Sequence, residues 1–154
     1  MPRLFFISIA FVCLCALCGS GRAEAPDGVE WPVVFKEDFS SPTSVEGWEF
    51  ADPSAWRLSS GEGFQFLSSF KDSAHKPPVR SPENIAWIKD LEVGSFVLDA
   101  TARSTEREYG HRDVCVLFGR QDPAHFYYVH LATKADEHAH SIFLVNGEPR
   151  VSIA

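Results

Sequence analysis

The amino-acid sequence predicts an all-β fold, an antiparallel two-sheet sandwich, preceded by a signal-peptide helix. Three observations carry this. Past the first two dozen residues helical periodicity is almost absent, while short apolar or alternating runs recur, each bounded by Gly, Pro, Asp, Asn or Ser. The chain is 13% aromatic, and aromatic residues favour pleated, half-buried strands. Its 10 Gly and 10 Pro supply the turns that many short strands need.

The first element is the leader. Arg3 precedes the uncharged run Leu4–Cys18, after which come Gly19-Ser20-Gly21. A basic residue, an apolar stretch and then small residues form the secretory pattern, and the run is shorter than the ~20 residues of a membrane span. Cleavage is expected after Ala23, because a cut after Ala25 would set Pro26 against the protease. The predicted organisation is a signal peptide over 1–23, a flexible leader over 24–32 and one sandwich domain over 33–154. No stable membrane insertion is expected after cleavage, and the protein is expected to be secreted or periplasmic. Three of the four cysteines and two of the 14 basic residues leave with the signal, so Cys115 stands alone and the formal charge moves from −7 to −9. A disulfide framework is excluded, and so acidic a surface speaks against a nucleic-acid partner.

The predicted strands are Val33–Phe39, Trp56–Leu58, Gly63–Phe70, Ile85–Leu91, Ser95–Ser104, Asp113–Phe118, Phe126–Ala132 and Ile142–Asn146. Turn signals separate them at Asp52-Pro53, Ser60-Gly61, Val93-Gly94, Asp122-Pro123 and Asn146-Gly147, the last favouring a tight primed hairpin. One helical turn is predicted near Ala135–His138. The prolines of 73–82 exclude a central strand there, leaving a stiff loop that carries His75, Lys76 and Arg80. The chain stops at Val151-Ser152-Ile153-Ala154, inside what reads as a strand.

Phe35-Lys36-Glu37-Asp38-Phe39, the nearby Trp48 and Trp56, and the stretch Val116-Leu117-Phe118-Gly119-Arg120-Gln121-Asp122-Pro123-Ala124-His125-Phe126-Tyr127-Tyr128-Val129 resemble the concanavalin A-like lectin/glucanase jelly rolls. They are more closely similar to exported bacterial proteins related to laminin-G-like and 3-keto-disaccharide hydrolase domains. The resemblance covers roughly Val33 to Arg150. It implies a jelly-roll sandwich with a concave ligand-binding sheet, and because such folds run longer, a C-terminally incomplete domain or an uncovered sheet edge. It also implies a structural calcium ion that Asp38 could help to hold; no other cofactor is expected.

Alternation phases the strands. Val114, Val116 and Phe118, then Tyr127, Val129 and Leu131, and Phe96, Leu98, Ala100 and Ala102 are assigned to the inter-sheet core. The opposite face then displays Asp99, Thr101, Arg103, His111, Asp113, Cys115, Phe126, Tyr128 and His130, the comparable surface being the concave one in the resembled fold. The predicted ligand-binding residues are Arg103, His111, Asp113, Tyr128, His130 and, on the Pro-rich rim, Arg80. Charged and imidazole groups hydrogen-bond sugar hydroxyls while a Tyr face stacks on a ring. The alternatives for the same residues are an ordinary wet sheet face and an Arg103–Asp113 cross-strand pair.

No catalytic residue is assigned, and whether the protein is an enzyme stays open. The glucanase motif Glu-x-Asp-x-(x)-Glu is missing, although retaining hydrolysis needs two carboxyls ~5–5.5 Å apart. Nor is there a nucleophile elbow or a phosphate loop. Five of the six histidines lie between His111 and His140, but His138-Ala139-His140 reads as a polar loop rather than a metal site. Cys115 reads as a small buried hydrophobe. The leading expectation is a protein that binds carbohydrate or glycoconjugates. The alternative is a glycan-processing hydrolase of the 3-keto-disaccharide hydrolase type using His111, Asp113 or His130, and the third an adhesion module.

Overall fold

Side-chain–backbone bonding and turn chemistry decide which predicted strands form. A computed structural model describes residues 5–8 in their backbone, and residues 32–105, 113–136 and 139–154. Among the described residues ten strands run in chain order: β1 (Phe5–Ser8), β2 (Trp48–Phe50), β3 (Trp56–Gly61), β4 (Phe64–Ser69), β5 (Ala86–Ile88), β6 (Thr101–Ser104), β7 (Val114–Asp122), β8 (His125–Leu131), β9 (Ser141–Asn146) and β10 (Val151–Ser152). They pair antiparallel in two four-stranded sheets, β3-β4-β1-β6 and β10-β9-β8-β7, and a two-stranded ribbon, β2-β5. The only helices among the described residues are 3-10 turns, Ser44–Gly47 and Pro53–Ala55, and none is long and apolar enough to cross a membrane. The all-β class is as the sequence predicts.

Two hairpins show why. Between β3 and β4 the turn falls on Glu62 and Gly63, with φ of +54° and +86°. Both central residues of a primed two-residue turn need positive φ, which places the turn just past the Ser60-Gly61 signal. Between β7 and β8, Asp122 accepts hydrogen bonds from the Ala124 amide at 2.7 Å and from His125 Nδ1 at 2.8 Å, closing the loop at the predicted Asp-Pro turn. Here β7 extends four residues past the predicted Phe118 through a register shift between Phe118 and Asp122. Gly119, at φ +60°, lies inside that shift.

Several expectations fail for identifiable reasons. Val33–Phe39 is not a strand: the Glu37 carboxylate accepts from the Phe39 amide and Asp38 from the Ser40 amide, and Phe39 sits at φ +57°. These local bonds take up groups a ladder would need. Phe39 still reaches the core. Residues 95–100 are not regular, and only Thr101–Ser104 of that predicted strand forms. Ile85–Leu91 shrinks to Ala86–Ile88, with Asp90 at φ +53° beyond it. Asn146-Gly147 does not make a two-residue hairpin, since β10 pairs Val151 with Leu144; Pro149 has no N–H to continue the ladder, so the chain loops on to Val151. In place of a helical turn near Ala135–His138, Asp136 bridges Ala139; residues 137–138 lie outside the described residues. Within the expected signal helix, Phe5–Ser8 is instead a strand between β4 and β6. Phe, Phe and Ile are strand formers, and two unpaired edges satisfy them where a short isolated helix in water would be marginal. The rest of that helix, 9–23, and most of the leader lie outside the described residues.

The ribbon separates two cores. Phe39, Trp48, Ala55, Trp56 and Leu67 form one, with Phe50, Ala86 and Ile88 packed against it. Phe126, Tyr128, Phe143 and Val145 form the other, joined by Val79, Trp87, Cys115 and Leu117. Trp48 pairs with Ile88, Glu49 with Trp87 and Phe50 with Ala86, so alternation sends one ribbon face to the first core and Trp87 to the second.

Candidate functional site

The face of β8 that carries Phe126, Tyr128 and His130 is the covered one, which reverses the predicted phase. Tyr128 is 0% and His130 4% exposed, whereas Tyr127 and Leu131, predicted as core, are 36% and 44% exposed. Neighbouring strands explain the reversal. Val116, Phe118, Ile142 and Leu144 make one face apolar, and Cys115, Leu117, Phe143 and Val145 the other, so alternation alone could not choose. Trp87 and Val79 decide it by packing onto the Phe126 side.

On that buried side a polar cluster has formed around Asp113 and His130. His130 Nε2 lies 2.8 Å from Asp113 Oδ2. A carboxylate offers only acceptors, so Nε2 carries the proton. The other two polar atoms, His130 Nδ1 and Asp113 Oδ1, are buried without a hydrogen-bond partner. Cys115 is the register partner of His130; burial, and then the neighbouring Asp113 charge, push its thiol up to about 12. It is a protonated thiol, half-buried against the Phe126 cluster where the sequence predicts a small buried hydrophobe. Tyr128 stacks on Phe143 with centroids 5.1 Å apart, and Arg150 Nη1 donates to its hydroxyl at 2.9 Å. Burial raises the Tyr128 phenol above its usual range, with Arg150 opposing. Arg150 also lies over the Phe143 ring at 4.9 Å, and its amide donates to the Arg80 carbonyl at 3.1 Å. That bond ties the Pro-rich loop to the sheet.

Of the six predicted ligand residues, Asp113, Tyr128 and His130 come together and Arg80 borders them through its backbone. Arg103 does not join them. It stands on β6, in the other four-stranded sheet, where its guanidinium meets Glu62 at 2.8 Å with both side chains exposed. The strand meant to carry it to the concave face does not pair with β7 or β8, and the Arg103–Asp113 pair does not exist. His111 lies outside the described residues.

A second arrangement was not foreseen. Beside Trp87 and Phe126 opens a cleft of about 210 Å³, walled also by Glu49, His75, Pro77 and Arg120. Arg120 Nη2 meets Glu49 Oε1 at 2.6 Å, and its guanidinium lies 5.0 Å from the Trp87 ring centroid. The Arg120 hydrogen bond holds the Glu49 carboxyl below the usual carboxylate range. Trp87 meets Phe126 edge-on at 5.8 Å. Three distant stretches build this cleft: the ribbon, the Pro-rich loop, and the β7–β8 hairpin with its bulge. His75 was legible as a rim residue; Glu49, Trp87, Arg120 and Arg150 were not, because the groups their side chains meet lie far away in sequence.

At Asp38, the predicted calcium ligand, the side chain accepts from Ser40, which lowers its carboxyl. It borders an open depression of about 630 Å³ with Ser40, Gly61 and Gln65. Among the described residues no group of three or more His, Cys, Asp or Glu side chains could hold a metal ion. His140 Nε2 donates to the Ala132 carbonyl at 2.7 Å. Comparison of the chain with protein-family models, with curated proteins and with solved structures finds no match.

Proposed function

We propose that this chain is an exported carbohydrate-binding domain of the concanavalin A-like jelly-roll kind, and that its glycan site is the cleft between Glu49, His75, Trp87 and Arg120. The observation that carries the reading is the grouping of a carboxylate, a guanidinium and an imidazole around aromatic rings in one 210 Å³ recess. Such groups exchange in-plane hydrogen bonds with hydroxyls, and the rings take the apolar side of a sugar. The experiment is a glycan array read with the unaltered chain, His75→Ala and Arg120→Gln. Retention of a glycan that weakens about tenfold or more in both variants supports the site; equal binding by all three sinks it. Arg103→Ala serves as a control expected to bind normally.

A second reading, a glycan-processing hydrolase, is favoured by the 2.8 Å Asp113–His130 contact and the free Nδ1 of the same imidazole. In this reading that buried nitrogen is the base that takes the substrate's proton. Turnover of a bound glycan, lost in Asp113→Asn with binding kept, selects this reading over simple recognition.

A further inference from the structure

The sheet β3-β4-β1-β6 is held together by a segment that the sequence assigns to an export signal. Among the described residues β6 joins this sheet through β1 alone. Phe5, Phe6 and Ile7 face Ser69, Ser68 and Leu67 on one side, and Ser104, Arg103 and Ala102 on the other, where Ser8 also faces Thr101. Both pairings are antiparallel, so residues 5–8 fill a slot one strand wide, about 9–10 Å between its neighbours. The β4 wall of the slot is interior structure: Leu67, Ser68 and Ser69 are all buried. Unpaired backbone groups at such a position are costly, and an open row of them is a template for another strand.

We propose that the gap between β4 and β6 is a strand-acceptor site. The unprocessed chain fills it with its own residues 5–8, and their removal opens it to an extended peptide of the same class. Recognition is by main-chain ladders on two sides, the β-augmentation mode. It therefore selects an extended, proline-free, strand-forming peptide rather than a particular charge. A precursor folded in this way withholds residues 5–8 from the export machinery, so folding and export compete for one segment. This proposal is independent of the glycan reading.

Amide hydrogen exchange on the full chain tests it. In the unaltered chain, residues 6–8 exchange slowly together with 67–69 and 101–104. Phe6→Pro, which removes a ladder N–H, speeds all three groups about tenfold or more, while Phe6→Val leaves them protected. A synthetic octapeptide with the sequence of residues 3–10, added to the Phe6→Pro chain, restores protection at 67–69 and 101–104, and the same peptide carrying proline at its Phe6 position does not. Free exchange at 6–8 in the unaltered chain overturns the proposal, and that measurement alone decides should Phe6→Pro prevent folding. A soluble, folded Phe6→Pro chain that ignores the octapeptide overturns it equally.

Discussion

Gly119→Ala probes how the bulge in β7 delivers Arg120 to the cleft. Gly119 has φ +60°, and a Cβ built there would stand 3.0 Å from Tyr127 Cδ2. A side chain in the left-handed region costs roughly 1–2 kcal/mol. The ring must also give way by a few tenths of an ångström, and it is not free to do so, because Tyr127 stacks on Phe118 with centroids 5.7 Å apart and planes 16° apart. Loosening that stack costs about 0.5–1 kcal/mol. Against this, alanine lowers the entropy of the unfolded chain by about 0.4–1 kcal/mol. The net expectation is a loss of about 1–2 kcal/mol, or roughly 2–8 °C in Tm for a domain of this size. Urea unfolding followed by tryptophan fluorescence measures it. Gly94→Ala is the control, since a Cβ there meets nothing within 4 Å and the backbone is unstrained. Equal stability of the two variants would refute the assignment of strain to the bulge. Because Arg120 follows Gly119 directly, the variant should also weaken any ligand that binds through the guanidinium.

Further outcomes follow from the same geometry. Asp52 and Asp122 are held below their ordinary 3.8, chiefly by the amides of Ala74 and Ala124. A depressed carboxyl contributes stability above its unfolded pKa that is lost as pH falls through the lower folded value. Stability should therefore drop below pH 3.8, and Asp52→Asn with Asp122→Asn should flatten that limb in acid-titrated unfolding curves. Cys115 behaves oppositely: its thiol rises from 9.0 to about 12, so the unfolded state ionises first and stability falls as pH climbs through that interval; Cys115→Ala should weaken this dependence and leave the part due to the raised Tyr128 phenol. At neutral pH, peptide mapping after alkylation should find Cys115 unmodified until the chain unfolds. Arg150→Ala strands the buried Tyr128 hydroxyl without its donor and should cost about 1–3 kcal/mol in urea unfolding; a change below about 0.5 kcal/mol would deny the Arg150–Tyr128 hydrogen bond a part in stability.

What the sequence made legible was local. The β7–β8 hairpin could be placed because Asp122-Pro123 is turn chemistry acting over four residues, and β9 because its apolar run ends at Asn146. Val33–Phe39 misled because its apolar content says strand, while Glu37 and Asp38 bond to nearby amides instead. The choice of face on β8 was beyond alternation, since Tyr127, Val129 and Leu131 are as apolar as Phe126 and Tyr128. Only the cover, Trp87 and Val79 brought from elsewhere in the chain, breaks that tie. The candidate cleft failed to show for a related reason. Glu49 and Trp87 become neighbours through ribbon pairing across nearly forty residues, and Arg120 reaches them through a bulge whose single glycine gives little warning in a list of residues.

A two-stranded ribbon is marginal by itself in water, and β2-β5 persists because both of its faces are occupied. Neither sheet can then loosen without withdrawing support from the strands between them. The ribbon is a hinge pin shared by two leaves, and melting should proceed as one event reported alike by Trp48 on one side and Trp87 on the other. A ligand seated against Glu49 and Trp87 would accordingly stiffen the core on the far side of the ribbon.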